Sequence, residues 1–210
     1  MKVEIWSDFV CPFCYMGERK FEQALADFEH KDEVEIIFKS FQLSMGKEDV
    51  KGKDINQIIA DKYNISYDQA KANNDQIVKA AEKVGLNYRF DILKLNNTEL
   101  AHEIAKYADS VGKGKDLVDR YFKAYFEEGV DIGDKEKLIE LAEEIGLNTI
   151  ELKKQLNQED LKAEIKKDEV LARKLGINSV PFFIINDRYT VSGAQDPKQF
   201  LKALNEAYKL

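Results

Sequence analysis

Residues 8–15 read DFVCPFCY and hold both cysteines of the 210-residue chain. What flanks them decides how the pair is used. Upstream, KVEIW (2–6) alternates Val3 and Ile5 against Lys2 and Glu4, the period of a short strand. Downstream the period changes: Phe21, Ala24, Leu25 and Phe28 fall at i, i+3, i+4 and i+7, one face of an amphipathic helix. The cysteines thus sit where a strand gives way to a helix, with Pro12 suited to an early helical position. There Cys11 faces unpaired backbone N–H groups and the positive end of the helix dipole, and both favour a thiolate. Cys14 follows one helical turn later, within bridging reach. Cys11 would then attack a substrate sulfur and Cys14 would resolve the mixed disulfide. Two other readings stand beside this one. A zinc site needs about four ligands, yet the chain's two histidines, His30 and His102, lie far apart in sequence. Two inert thiols would sit at apolar helix positions rather than at the mouth of a strand-to-helix turn.

Composition narrows the field. Apolar residues make up 44% of the chain, ample for a core, and charged residues 34%, which implies a well-solvated surface. The net charge of −7 and the lack of a dense Lys/Arg run argue against a nucleic-acid partner. No stretch approaches the roughly 20 apolar residues of a membrane helix. Glu4 and Asp8 interrupt the opening where a secretory signal needs an unbroken apolar segment, so the chain reads as cytoplasmic. In that compartment structural disulfides are rare, and a CxxC points to redox or metal chemistry.

EVEIIFKSFQL (33–43) reads as a second strand, buried on both faces near its middle. With the first strand and helix it makes a βαβ unit whose strands run parallel. From about 46 to 158 the text is helical. One helix opens at a Ser66 cap and stops near Gly85. Leu100, Ile104, Ala108 and Val111 form the next stripe. Leu117, Tyr121 and Tyr125 form a broader one, flanked by Val118, Phe122 and Phe126 and ended by Gly129; Leu138, Leu141, Ala142 and Ile145 form another, ended by Gly146. A long helix around 159–175 ends at Gly176. A hairpin follows, with Val180–Ile185 as one strand, Asn186-Asp187 in the turn and Tyr189–Ser192 returning. Asp196 caps a closing helix with Pro197 at its first position. The expected class is α/β, ordered β-α-β … α-β-β-α. Residues 1–45 and 159–210 make one domain with a small mixed sheet, and residues 46–158 make an all-helical insertion.

Pro181 opens the hairpin strand in INSVPFFII, where it has no N–H to pair and X-Pro adopts cis at modest cost. Taken together, CPFC at a helix start, the helical insertion and GINSVPFFII…SGAQ resemble the DsbA family of thioredoxin-fold proteins. The FrnE-like branch is similar in its CP-aromatic-C motif, its VPFF strand and its GAQ ending. The resemblance covers essentially the whole chain and implies a thioredoxin fold. It implies that Pro181 is the family's cis-proline beside the redox cysteines, and that the Val180 backbone pairs with an extended substrate. Pro12 and Phe13 would tune the thiolate and shape the contact surface, and Gln195, with Gly193 and Ala194, would border the groove.

NNTELAHEIAKYA (96–108) also resembles the FrnE-like branch. By angle along the helix His102 lies opposite the Leu100/Ile104/Ala108 stripe, as a solvated residue would. The resemblance implies instead that its face looks toward the cysteines, with His102 as proton partner or substrate contact, and with Asn97 both capping the helix and counted among the substrate-binding residues. Trp6 reads as core. Asp8 reads either as an acceptor for the resolving thiol's proton or as a strand-end residue.

Three functions follow. The first is a thiol–disulfide oxidoreductase with Cys11, Cys14 and Pro181 at its centre, acting on a protein or small-molecule disulfide. It would have no tightly bound cofactor or metal, would take glutathione as a co-substrate, and would need a reductase or oxidant as redox partner. The second is a glutathione-dependent isomerase or transferase of the 2-hydroxychromene-2-carboxylate isomerase type; those relatives carry serine where this chain has Cys11. The third is a non-enzymatic peptide-binding adaptor, which has no use for a complete CPFC. A cytosolic setting favours reduction of substrates, whereas likeness to DsbA favours oxidation.

Overall fold

The computed structural model describes residues 1–43 and 53–209, so the expected boundary between 45 and 46 lies outside the described residues. Four strands form one sheet: β1 (Lys2–Ser7), β2 (Glu35–Ser40), β3 (Phe182–Ile185) and β4 (Tyr189–Ser192), in the order β2-β1-β3-β4. β1 runs parallel to β2, from Lys2 opposite Glu35 to Ser7 opposite Ser40, and antiparallel to β3. Helix α1 (Pro12–Ala26) links β1 to β2. This is the expected mixed sheet, with one difference of burial. The strand buried on both faces is β1, where Val3 to Ser7 are all buried; in β2 only Phe38 and Ser40 are. A strand's burial follows its place in the sheet, and β2 is an edge.

The β3–β4 turn sets Asn186 at φ 53° and Asp187 at φ 60°. Two left-handed residues in a two-residue loop match the twist of the flanking strands, and Asn and Asp tolerate that region best after glycine. β3 begins at Phe182, two residues later than expected, because Val180 and Pro181 form the approach to the strand. After it comes α9 (Pro197–Tyr208), where the Asp196 carboxylate accepts from the Lys198 N–H as an N-cap.

Between β2 and β3 every described element is helical: α2 (Ile55–Tyr63), α3 (Tyr67–Glu82), α4 (Glu99–Ser110), α5 (Gly114–Phe126), α6 (Lys135–Glu144), α7 (Thr149–Gln155) and α8 (Asp160–Lys174). Ser66 caps α3 as expected, its hydroxyl accepting from the Gln69 N–H. Val111 belongs to no stripe: α4 ends at Ser110, and Val111 lies in the exposed turn beyond.

A buried polar knot joins the helices to the sheet. Asp168 of α8 pairs with Lys106 of α4 and with Lys39 of β2, and accepts from the Ser40 N–H at 3.0 Å. Lys106 also donates to the Phe38 carbonyl at 2.9 Å, and the Trp6 indole N–H donates to the Asp168 carbonyl at 3.4 Å. Each charge of the knot thus has a partner. One apolar cluster runs from Val3, Ile5 and Phe21 in the strand-bearing part through Tyr121, Phe122 and Leu138 in the helical part.

Candidate functional site

Both thiols sit at the start of α1. Cys11 is the N-cap in extended conformation (φ −91°, ψ 111°), and Pro12 takes the first helical position, where its missing N–H loses no helical bond. The two cysteines are free and buried, 4% and 1% exposed. The Cys11 N–H donates to the Asp8 carbonyl and the Cys14 N–H to the Cys11 carbonyl, both at 3.0 Å, which closes the turn around the pair. The Cys11 sulfur does not accept a capping bond from the first-turn amides, as the helix-start argument expected. It is placed instead 3.6 Å from the Val180 carbonyl, toward which it is the hydrogen-bond donor.

That contact brings the hairpin approach to the cysteines. The Val180–Pro181 peptide bond is cis, and the Gly193 N–H donates to the Pro181 carbonyl at 2.8 Å, so the GAQ segment backs the proline. α1 passes close by. A Cβ on Gly17 would stand 2.8 Å from the Pro181 ring and 3.5 Å from Ala194, so only glycine lets the helix approach this near.

Burial pushes the Cys14 thiol well above the ordinary thiol value, and a hydrogen bond and charge interaction with Cys11 push it further. Hydrogen bonds from the Asp8 backbone and the Ser7 side chain act in the opposite sense. Cys14 is therefore held as a thiol, one turn from Cys11 and hydrogen-bonded to it, an arrangement compatible with a disulfide between them.

Asp8, wholly buried, ties this turn to the rest. Its carboxylate accepts from the Leu43 N–H at 2.7 Å and lies 3.2 Å from His102 Nε2. His102 is 4% exposed and packs on the Phe9 ring, with centroids 5.0 Å apart. The solvated reading of His102 is thus overturned: the 100°-per-residue argument took Leu100/Ile104/Ala108 as the buried face, but α4 is enclosed on nearly all sides. Nor is His102 a surface contact for substrate; it meets Asp8, below the cysteine turn. Asn97 is likewise occupied, its side-chain carbonyl accepting from the Glu99 N–H at 2.7 Å, but the N-cap of α4 is Thr98, so Asn97 stands one residue before the expected capping position. Gln195 is exposed and donates to the Ser192 carbonyl at 2.7 Å, on the β4–α9 side of the hairpin.

The open face of the pair is a cleft of about 500 Å³. Val10, Cys11, Pro12 and Phe13 form one wall, and residues of α2, α3 and α5 the others, among them Ile59, Ile77 and Phe126. Phe13, 46% exposed, stands at its edge. Asn97, His102, Val180 and Gln195 do not line it. An adjoining, more polar hollow of about 650 Å³ shares Ile55, Asn74, Phe90 and Leu93 with it and holds no cysteine.

A family model described as the DSBA-like thioredoxin domain matches residues 2–205. The chain belongs to this family. A DSBA-like chain of similar structure is described as the probable DsbA oxidoreductase SCO1869 from Streptomyces coelicolor, 36% identical, with a TM-score of 0.91 over 100% of this chain and 90% of that one. YwbO, an uncharacterized protein of Bacillus subtilis (strain 168), is 31% identical over 213 residues, spanning 99% of this chain and 97% of that protein. The cytosolic disulfide reductase DsbM from Pseudomonas aeruginosa, solved with GSH, covers 100% of both chains at a TM-score of 0.71 and 16% identity, a likeness of fold.

Two features of the site gave no sequence signal. Tyr88 donates its hydroxyl to the Pro12 carbonyl at 2.7 Å and stacks on Phe126 with centroids 4.6 Å apart, yet in GLNYRF it belongs to no stripe. Gly17 reads as an ordinary mid-helix residue until Pro181 is placed against it. No group of three or more His, Cys, Asp or Glu among the described residues is arranged to hold a metal ion.

Proposed function

We propose that this DSBA-like protein is a thiol–disulfide oxidoreductase with Cys11 as nucleophile and Cys14 as resolving thiol. The observation that carries the reading is the Cys11 sulfur at the N-cap of α1, hydrogen-bonded to Val180 beside cis-Pro181, with Cys14 one turn on. The Cys11 thiolate attacks a substrate disulfide R–S–S–R′, and R′S⁻ leaves. Cys14, once deprotonated, attacks the Cys11 sulfur of the mixed disulfide and RS⁻ leaves. Two electrons pass to the substrate and the Cys11–Cys14 disulfide remains. Glutathione, with which DsbM was solved, is the electron donor we assign for its reduction, in a cytosolic setting like that of DsbM. The Val180 carbonyl, already an acceptor for Cys11, stands beside the sulfur that the substrate must reach.

The test is a glutathione redox titration in which alkylation and mass report the disulfide, with the single mutants alongside. A two-electron transition is expected. Cys11→Ser should abolish disulfide reduction, and Cys14→Ser should accumulate mixed disulfides. Full activity in Cys11→Ser, or no intramolecular disulfide at any potential, would overturn the reading.

A further inference from the structure

The cleft beside Cys11 is built unlike a surface that receives a polar chain. Of its seventeen lining residues, fourteen are apolar or aromatic; the others are Lys62, Asn73 and Asn74, and no carboxylate is among them. Asn74 already donates to the Asn56 side chain at 2.8 Å. Walls come from the cysteine turn, α2 with α3, the end of α5, Leu43 after β2, and Phe90 and Leu93 between α3 and α4. A mainly apolar cleft of about 500 Å³ with a few polar groups is of the kind that takes a small molecule.

We infer that this cleft is the binding site for the apolar half of a small uncharged disulfide, aromatic or branched aliphatic, whose sulfur it presents to Cys11. The inference rests on the oxidoreductase reading above and names the substrate class of that same site. Glutathione disulfide is less suited to this lobe: among the described residues that line it no carboxylate stands to pair an ammonium group, and its apolar walls offer a charge nothing in place of water. An aromatic ring loses nothing by entering and gains contact with Ile59, Ile77 and Phe126. In the reaction, Cys11 thiolate displaces one arylthiolate from Ar–S–S–Ar and holds the other as Cys11–S–S–Ar. Cys14 thiolate then displaces the second, so that one aryl disulfide becomes two arylthiols and the protein dithiol becomes a disulfide.

The experiment is a single-turnover stopped-flow comparison of the reduced full chain with 4,4′-dithiodipyridine, aromatic and uncharged, and with 2-hydroxyethyl disulfide, small and polar. Wild type is compared with Ile59→Asn and with Tyr63→Ser; Tyr63 lines the cleft but is exposed, so its replacement leaves the core intact. The ratio of the two rate constants cancels the reactivity of Cys11, and comparing that ratio between variant and wild type cancels the intrinsic reactivity of the probes. The aromatic-to-polar ratio is expected to fall about 10-fold or more in Ile59→Asn, the range for altered contacts in an apolar pocket, and measurably in Tyr63→Ser. Reaction with both probes but an unchanged ratio in both variants overturns the inference and leaves the dithiol centre standing. Equal losses with insulin disulfides would overturn it in favour of a peptide groove. If wild type reacts with neither probe, the oxidoreductase reading itself fails. If Ile59→Asn does not fold, Tyr63→Ser alone decides.

Discussion

Two buried groups on α1 have protonation states set by their surroundings. Cys14 is held well above the ordinary thiol value chiefly by burial, a cause that persists when Cys11 is replaced. Folded Cys11→Ser protein should therefore be alkylated at Cys14 by iodoacetamide at pH 8 at least about 10-fold more slowly than the urea-unfolded chain, the thiolate deficit of one pKa unit. Glu18, one turn beyond Cys14, is 3% exposed, and neither carboxyl oxygen has a hydrogen-bond partner among the described residues. Burial first, and then Asp119 and Glu22 nearby, push it well above its ordinary 4.5. Above pH 4.5 the unfolded chain sheds a proton that the folded protein keeps, so Glu18 makes stability fall as pH rises toward its folded value. Glu18→Gln removes that slope. It should be near neutral at pH 5 and stabilising by roughly 1–3 kcal/mol at pH 8, read from urea unfolding at the two pH values.

The meeting of α1 with the Pro181 approach depends on one missing side chain. Gly17→Val would drive a methyl-bearing carbon into the Pro181 ring, from which even a Cβ would stand only 2.8 Å away. The expected loss is roughly 1–3 kcal/mol, seen as a lower urea midpoint at unchanged slope, because overpacking shifts backbone without changing what unfolds. The elements themselves were largely legible. The CPFC turn, the Ser66 and Asp196 caps and the Asn186-Asp187 hairpin are local features whose hydrogen bonds close within a few residues. β2 as an edge and β1 as the centre were not, because an apolar run reads alike in both places.

Across the chain, the Asp168 knot and the shared apolar cluster bind the strand-bearing and helical parts into one cooperative body. Asp168→Ala strands Lys106 in a buried site, and should lower stability by roughly 3–5 kcal/mol. Adding Lys106→Met should recover much of that loss. Far-UV circular dichroism through urea should show a single transition in wild type and the double variant.

By itself the sequence determined the order of elements, the placing of a CxxC at a helix start and the cis-proline strand facing it through family likeness, because strand and helix periods and capping residues are written over short spans. Only the tertiary structure decided that His102 is buried against Asp8, that Tyr88 holds the Pro12 carbonyl, and that α2 and α3 wall an apolar cleft at Cys11. Those contacts join residues 76 and 94 positions apart in the chain, and no local period encodes which distant side chain will complete a hydrogen bond or close a cavity.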